Sequence, residues 1–237
     1  MNAITAIPPV TTLADRLFAT LSEEIVCGTI TAGSKISEPD LAKRLQVSRA
    51  SLREAIGRLE RCGLVTRRAN IGARVVTLSH DQLRQLYQLR EALEGMAARL
   101  AAQHIGAESL AALQQLLERH RQQVEQSGGE RYFQQQGDVD FHYRIARASN
   151  NPHLIALLDN QLYHLLRMYR CQFGMSGRRA LPALHEHQAI VAAIAAGDGE
   201  AAEWLMRSHI RTSRDAALAT PLGPTEPSDP NLKELQP

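Results

Sequence analysis

Leu13, Leu17, Leu21 and Ile25 recur every fourth residue, and the spacing predicts a helix across residues 11–28. Two glycines in "GTITAGSKI" end it. A short helix is expected around "EPDLAKRLQ", with Leu41 and Leu45 inward, followed by a tight connection at "QVS". The next helix runs from Arg49 to about Cys62, with Leu52, Ala55, Ile56 and Leu59 on one face. Ser48 suits its N-cap, because a serine hydroxyl accepts from an otherwise unpaired first-turn N–H. The stretch "GLVTRRANIGARVVTL" then predicts two short strands joined by a turn containing Gly72. The order is helix, helix, helix, hairpin.

From His80 the period stays helical, broken at "IGAES", "QSGGE", "SNNPH", "GMSGRRALP" and "GDGE". About six helices follow, enough for a bundle with its own core. The fold class expected is therefore mainly α, an N-terminal helix-turn-helix with a wing plus a C-terminal all-α bundle. The expected divisions are a flexible start at 1–10, a first domain at 11–76, a linker at 77–79, a helical domain at 80–220 and a disordered tail at 221–237. That tail, "TPLGPTEPSDPNLKELQP", is rich in proline and carries a net negative charge.

Composition narrows the setting. Of the 237 residues, 44% are apolar and 22% charged, a soluble globular balance. No apolar run approaches the roughly 20 residues of a membrane span, so no membrane partner is expected. "MNAITAIPPV" lacks the basic and apolar regions of a secretory signal. Cys27, Cys62 and Cys171 have no metal-like spacing and read as free thiols of a cytoplasmic protein.

Charge distribution changes the picture more than net charge does. Residues 1–79 hold 11 Lys and Arg against 7 Asp and Glu, a net of +4, in a chain whose total is +2. A basic stripe confined to one small domain is the footprint of a polyanion binder. Arg49 and Arg53 share a flank near the start of the third helix, where a helix-turn-helix meets base edges in the major groove. Arginine grips guanine O6 and N7 with two parallel hydrogen bonds. Ser48, Ser51, Lys43 and Arg44 are expected to hold phosphates of double-stranded DNA, with Arg67, Arg68 and Gly72 in a wing beside the groove.

"SRASLREAIGRLERCGLV" followed by "IGARVV" resembles the winged helix-turn-helix of GntR-family transcriptional regulators over residues 11–76. The resemblance implies DNA contact by Arg49, Arg53 and Gly72. Gln46 departs from the family by standing where a glycine is usual, which strains the turn before Val47. Pro39 occupies a place where some members carry a DNA-contacting arginine, and nothing is carried over there.

In the second half, Asp138 and His142 share a stripe with Phe141 and Ile145. His187 shares a stripe with Ile190, Val191 and Ile194, and His209 follows Ala202, Leu205 and Met206 at helical spacing, whereas His185 is turned away. Three helices thus aim ligand-type side chains at one interior. Uncompensated burial of these groups would cost several kcal/mol. A divalent ion (Zn, Ni or Mn) removes that penalty. For any one histidine alone, a hydrogen-bonded core residue serves as well. Arg90 also points inward, with Leu83, Leu86, Tyr87 and Leu93. It serves either an i, i+4 pair with Glu94 or a clamp for a ligand carboxylate.

"QLREALEGMAARLAA", "DVDFHYRIARASNN" and "HEHQAIVAAIAAGD" with a later "HI" resemble the FCD effector domain of the FadR branch. The helix count suggests its vanillate-regulator-like subgroup. That resemblance implies a metal held by Asp138, His142, His187 and His209, a small organic acid effector, and a homodimer on a palindromic operator. The expected function is a metabolite-responsive repressor rather than an enzyme. Its rivals are a regulator with a purely structural metal and a metal-dependent hydrolase, the latter disfavoured because no general base stands out near the ligand helices.

Overall fold

Thr12 opens the first described helix with a reciprocal cap: its hydroxyl accepts from the Asp15 N–H while the Asp15 carboxylate accepts from the Thr12 N–H. The computed structural model describes residues 12–68, 72–128, 137–173 and 179–219, with backbone alone at 137–140, 160, 161 and 173. The expected N-terminal segment 1–10 and tail 221–237 lie outside the described residues.

The N-terminal unit comprises α1 (Leu13–Val26), β1 (Lys35–Ile36), α2 (Glu38–Leu45), α3 (Arg49–Arg61), β2 (Val65–Arg68) and β3 (Gly72–Val75). Leu17, Leu21 and Ile25 of α1 meet Leu52, Ile56 and Leu59 of α3 in one core. Leu13, expected on the same stripe, is 39% exposed because it lies at the helix start beyond that core. Leu41 and Leu45 are only partly buried, as α2 lies along the edge of the domain. The sheet is antiparallel in the order β1-β3-β2, pairing Lys35 with Arg74 and Val65 with Val75. β1 was not expected; a two-residue strand carries no readable alternation. Gly72 opens β3 rather than sitting within a loop, and its φ of +87° is one that glycine adopts without strain.

The rest is helical: α4 (His80–His104), α5 (Ala107–Gln126), α6 (Gly137–Ala148), α7 (Pro152–Leu157), α8 (Tyr163–Phe173), α9 (Ala180–Ala195) and α10 (Gly199–Leu218). A π-helical turn at Leu158–Leu162 joins α7 and α8 without a break, so among the described residues seven helices make six segments. α4 and α10 pack along each other, and Gly95 permits their close approach. A Cβ there would lie 2.8 Å from Arg207 Cγ.

α8 also touches the N-terminal unit. Arg167 pairs with Glu23 at 2.7 Å, Gln172 Nε2 donates to the Ile25 carbonyl at 2.9 Å, and His164 meets Phe18 edge-on at 5.7 Å between ring centroids. Leu166, turned about 200° from His164 around the helix, is buried on the other side of α8. One helix therefore contacts both halves of the molecule.

Candidate metal centre and nucleic-acid interface

His142 of α6, His187 of α9 and His209 of α10 converge in the bundle, each at most 3% exposed. Their ligand nitrogens lie within 4.8 Å of one another. His187 Nε2 and His209 Nε2 are 3.2 Å apart. Metal–nitrogen bonds of about 2.0–2.1 Å would set neighbouring donors roughly 2.8–3.4 Å apart in octahedral or tetrahedral sites, so this spacing fits an ion. The same distance serves an N–H···N hydrogen bond. The Phe141 ring stacks on His187 with centroids 3.8 Å apart and fixes its plane. Asp138 is on α6 one turn before His142, and its side chain is outside those described. His185 is exposed, on the opposite side of α9.

Two carboxylates stand beside the imidazoles: Glu94, expected from the sequence only as a partner of Arg90, and Glu186, which the sequence reading did not place. Glu94 of α4, 1% exposed, puts Oε2 2.5 Å from His142 Nδ1 and Oε1 2.6 Å from Arg90 Nε. Burial alone would raise the Glu94 pKa, but Arg90 and His142 outweigh it and hold the group well below the usual carboxylate range. Glu186 of α9 accepts from His209 Nδ1 at 2.7 Å and from both terminal nitrogens of Arg179, at 2.9 and 2.7 Å. Burial opposes its ionisation too, and the hydrogen bonds from His209 and Arg179 prevail. Glu94 was legible as the i, i+4 partner of Arg90, and that pair is present. Glu186 lies off the His187 stripe by one residue, so only the tertiary fold brings it to His209.

In the N-terminal unit, the Ser48 hydroxyl caps α3 by accepting from the Ser51 N–H at 3.2 Å, and the two hydroxyls are 3.0 Å apart. Arg49 and Arg53 are exposed on the first turns of α3, with Lys43 exposed at the end of α2 and Arg68 on β2. Arg53 Nε lies 2.8 Å from Glu38, which also receives Arg67 at 3.5 Å. Arg44 pairs with Glu24 of α1 through two bonds, at 3.0 and 2.5 Å. Gln46 occupies the left-handed region at φ 54°, ψ 43°, at the α2 C-cap.

Residues 13–75 match the model for bacterial regulatory proteins of the gntR family, and residues 85–212 match the FCD domain. The chain is 30% identical over 209 residues to a "Probable D-xylose utilization operon transcriptional repressor" of Paenarthrobacter nicotinovorans, covering 84% of this chain and 86% of that protein. It is 38% identical over 123 residues to the Nta operon transcriptional regulator of Aminobacter aminovorans, covering 52% of this chain and 57% of that one. Among solved structures, E. coli McbR/YncC superposes with a TM-score of 0.71 at 22% identity, covering 87% of this chain and 97% of that one. A GntR regulator from Rhodococcus sp. RHA1 gives 0.68 at 24% identity, covering 88% and 99%. At these identities the structural likenesses establish the fold.

Proposed function

The chain belongs to the GntR family of bacterial regulatory proteins, with an FCD domain behind its DNA-binding unit, and from that premise we propose a metal-assisted sensor of a small organic acid. It is a DNA-binding transcriptional regulator, and its family and relatives are regulators rather than enzymes. No described helix is long and apolar enough to cross a membrane. On the proposed reading it is a homodimeric repressor of a palindromic operator, since a two-fold protein reads two-fold DNA. Arg49 and Arg53 read bases; Ser48, Ser51, Lys43, Arg44 and Arg68 hold phosphates; and Gly72 lets the wing backbone come close. The D-xylose relative, a probable operon repressor, supports repression as the sign. The divisions proposed are 11–76 for the DNA-binding domain, 77–79 for the linker and 80–220 for the sensing domain.

The observation carrying the sensor reading is the convergence of three buried imidazoles in the heart of the FCD domain. Asp138, His142, His187 and His209 would hold the ion (Zn, Ni or Mn), which supplies a Lewis-acidic position for a carboxylate oxygen. Charge supports an anionic effector. Arg90 and Glu94 cancel each other, as do Arg179 and Glu186, and the single carboxylate of Asp138 would not by itself offset a divalent cation. A carboxylate on the ion brings the site to neutrality. Arg90 would meet the carboxylate of such an effector through its guanidinium, which matches a carboxylate in shape and charge. Ligand binding must favour one arrangement of the dimer over another to alter operator affinity.

Elemental analysis of untagged protein purified without chelator tests the reading, with about one divalent ion per chain expected. A thermal-shift screen of dicarboxylates, sugar acids and aromatic acids then identifies the effector class. Metal-free protein whose His142→Ala variant folds and responds normally would sink the sensor. An ion whose removal unfolds the protein, with no acid altering operator binding, would make the metal structural only.

A further inference from the structure

We infer that Glu94 and Glu186 are positioning residues of the metal centre: each holds one imidazole by Nδ1, so that Nε2 of His142 and of His209 faces the ion. The inference rests on the metal-centre reading above and extends it to residues that would never touch metal.

A neutral imidazole carries one N–H, and the partner of that N–H decides which nitrogen keeps its lone pair. A carboxylate at Nδ1 draws the proton there and leaves Nε2 as the donor; it also makes that donor more basic. Both contacts are present, at 2.5 Å for Glu94 and His142 and at 2.7 Å for Glu186 and His209. His209 Nε2 then points to within 3.2 Å of His187 Nε2, as one shared ligand position requires.

Each carboxylate is itself held by an arginine. Arg90 binds the second oxygen of Glu94, and Arg179 binds both oxygens of Glu186 while reaching Ser213 Oγ at 3.3 Å. Two Arg–Glu–His series therefore approach the centre, one from α4 and the other across α9 and α10. Glu94 is the sole fully buried carboxylate among the described residues. A buried carboxylate is costly unless paired and hydrogen-bonded, and both of its oxygens are in use beside a ligand histidine. A core built for stability alone would place an apolar side chain there.

The test uses full-length protein stripped of metal and titrated with Zn(II) against a chromophoric chelator. Glu94→Gln keeps the volume but offers one acceptor oxygen where two are used. Glu186→Ala truncates a side chain that is 30% exposed, so it folds if the buried variant does not. Zn(II) affinity is expected to fall about 10–100-fold in each variant. Side-chain 15N spectra of labelled histidine should also show loss of the Nδ1–H tautomer at the affected ring, which a merely structural defect would leave in place. Unchanged affinity, or weakened affinity with unchanged tautomers, overturns the positioning role while the metal centre stands. A wild-type protein that takes up no Zn(II), Ni(II) or Mn(II) overturns both.

Discussion

Tyr169 closes its hydroxyl on both backbone polar groups of Ser79, accepting from the N–H at 3.1 Å and donating to the carbonyl at 2.8 Å. Ser79 caps α4, the helix that carries Arg90 and Glu94. Burial lifts the Tyr169 pKa to about 12 against the opposing Ser79 hydrogen bond, so the phenol keeps its proton at any physiological pH. The contact ties α8, which also grips α1, to the N-cap of α4.

Tyr169→Phe should therefore loosen the joint and leave the two folds intact. Two part-buried backbone groups lose their partner, which costs about 1–3 kcal/mol. Urea denaturation should show that loss. Operator binding should persist, while its change on adding effector shrinks. An undiminished effector response would show that coupling runs elsewhere.

How much of this was legible in the sequence depends on the range of each signal. Helical period placed Phe141, His142, His187 and His209 inside, because burial of a stripe is a local property of the chain. It also placed Ser48 at a cap, a contact spanning three residues. Glu186 and His209 are 23 residues apart in sequence, and Tyr169 and Ser79 are 90 apart. Such pairs follow from helix packing, which periodicity does not encode. The latches on Arg44 and Arg53 escaped for the same reason, since Glu24 and Glu38 look like ordinary surface acids.

At the joint between α1 and α8, His164 should make stability fall on mild acidification. Burial depresses its pKa below the ordinary 6.5, with Arg167 adding to the effect. The folded state then binds fewer protons than the unfolded one, so the stability is complete above about pH 6.5 and is lost as pH falls through the folded value. Denaturation midpoints between pH 7.5 and 5 should drop, and less so in His164→Phe, which keeps an edge-on ring against Phe18. Parallel pH profiles for both proteins would remove His164 as the cause.

Gln46 holds a left-handed conformation that costs an L-residue roughly 1–2 kcal/mol. Glycine adopts it freely but adds entropy to the unfolded chain, so Gln46→Gly should stabilise by about 0.5–1 kcal/mol. The side chain is exposed, so no packing is lost. A thermal midpoint that does not rise would mean that Gln46 makes compensating contacts.

Arg53 and Glu38 set up a competition at the proposed DNA-reading surface. The Arg53 side chain is 66% exposed and lies 2.8 Å from Glu38, which also receives Arg67 at 3.5 Å. To meet a base edge, Arg53 must leave that carboxylate. An exposed pair of this kind is worth about 0–1 kcal/mol. Glu38→Gln should therefore tighten operator binding by up to roughly 5-fold, and the Arg53 hydrogen bond that holds the Glu38 pKa low disappears with it. Arg53→Ala and Arg49→Ala should act in the opposite direction, each weakening specific binding by about 1–3 kcal/mol and relaxing preference at the base pair contacted. Size-exclusion chromatography should find their oligomeric state unchanged. Footprints identical to wild type for both arginine variants would show that α3 does not read the operator. Weaker binding by Glu38→Gln would show that the pair orients Arg53 for DNA instead of withholding it.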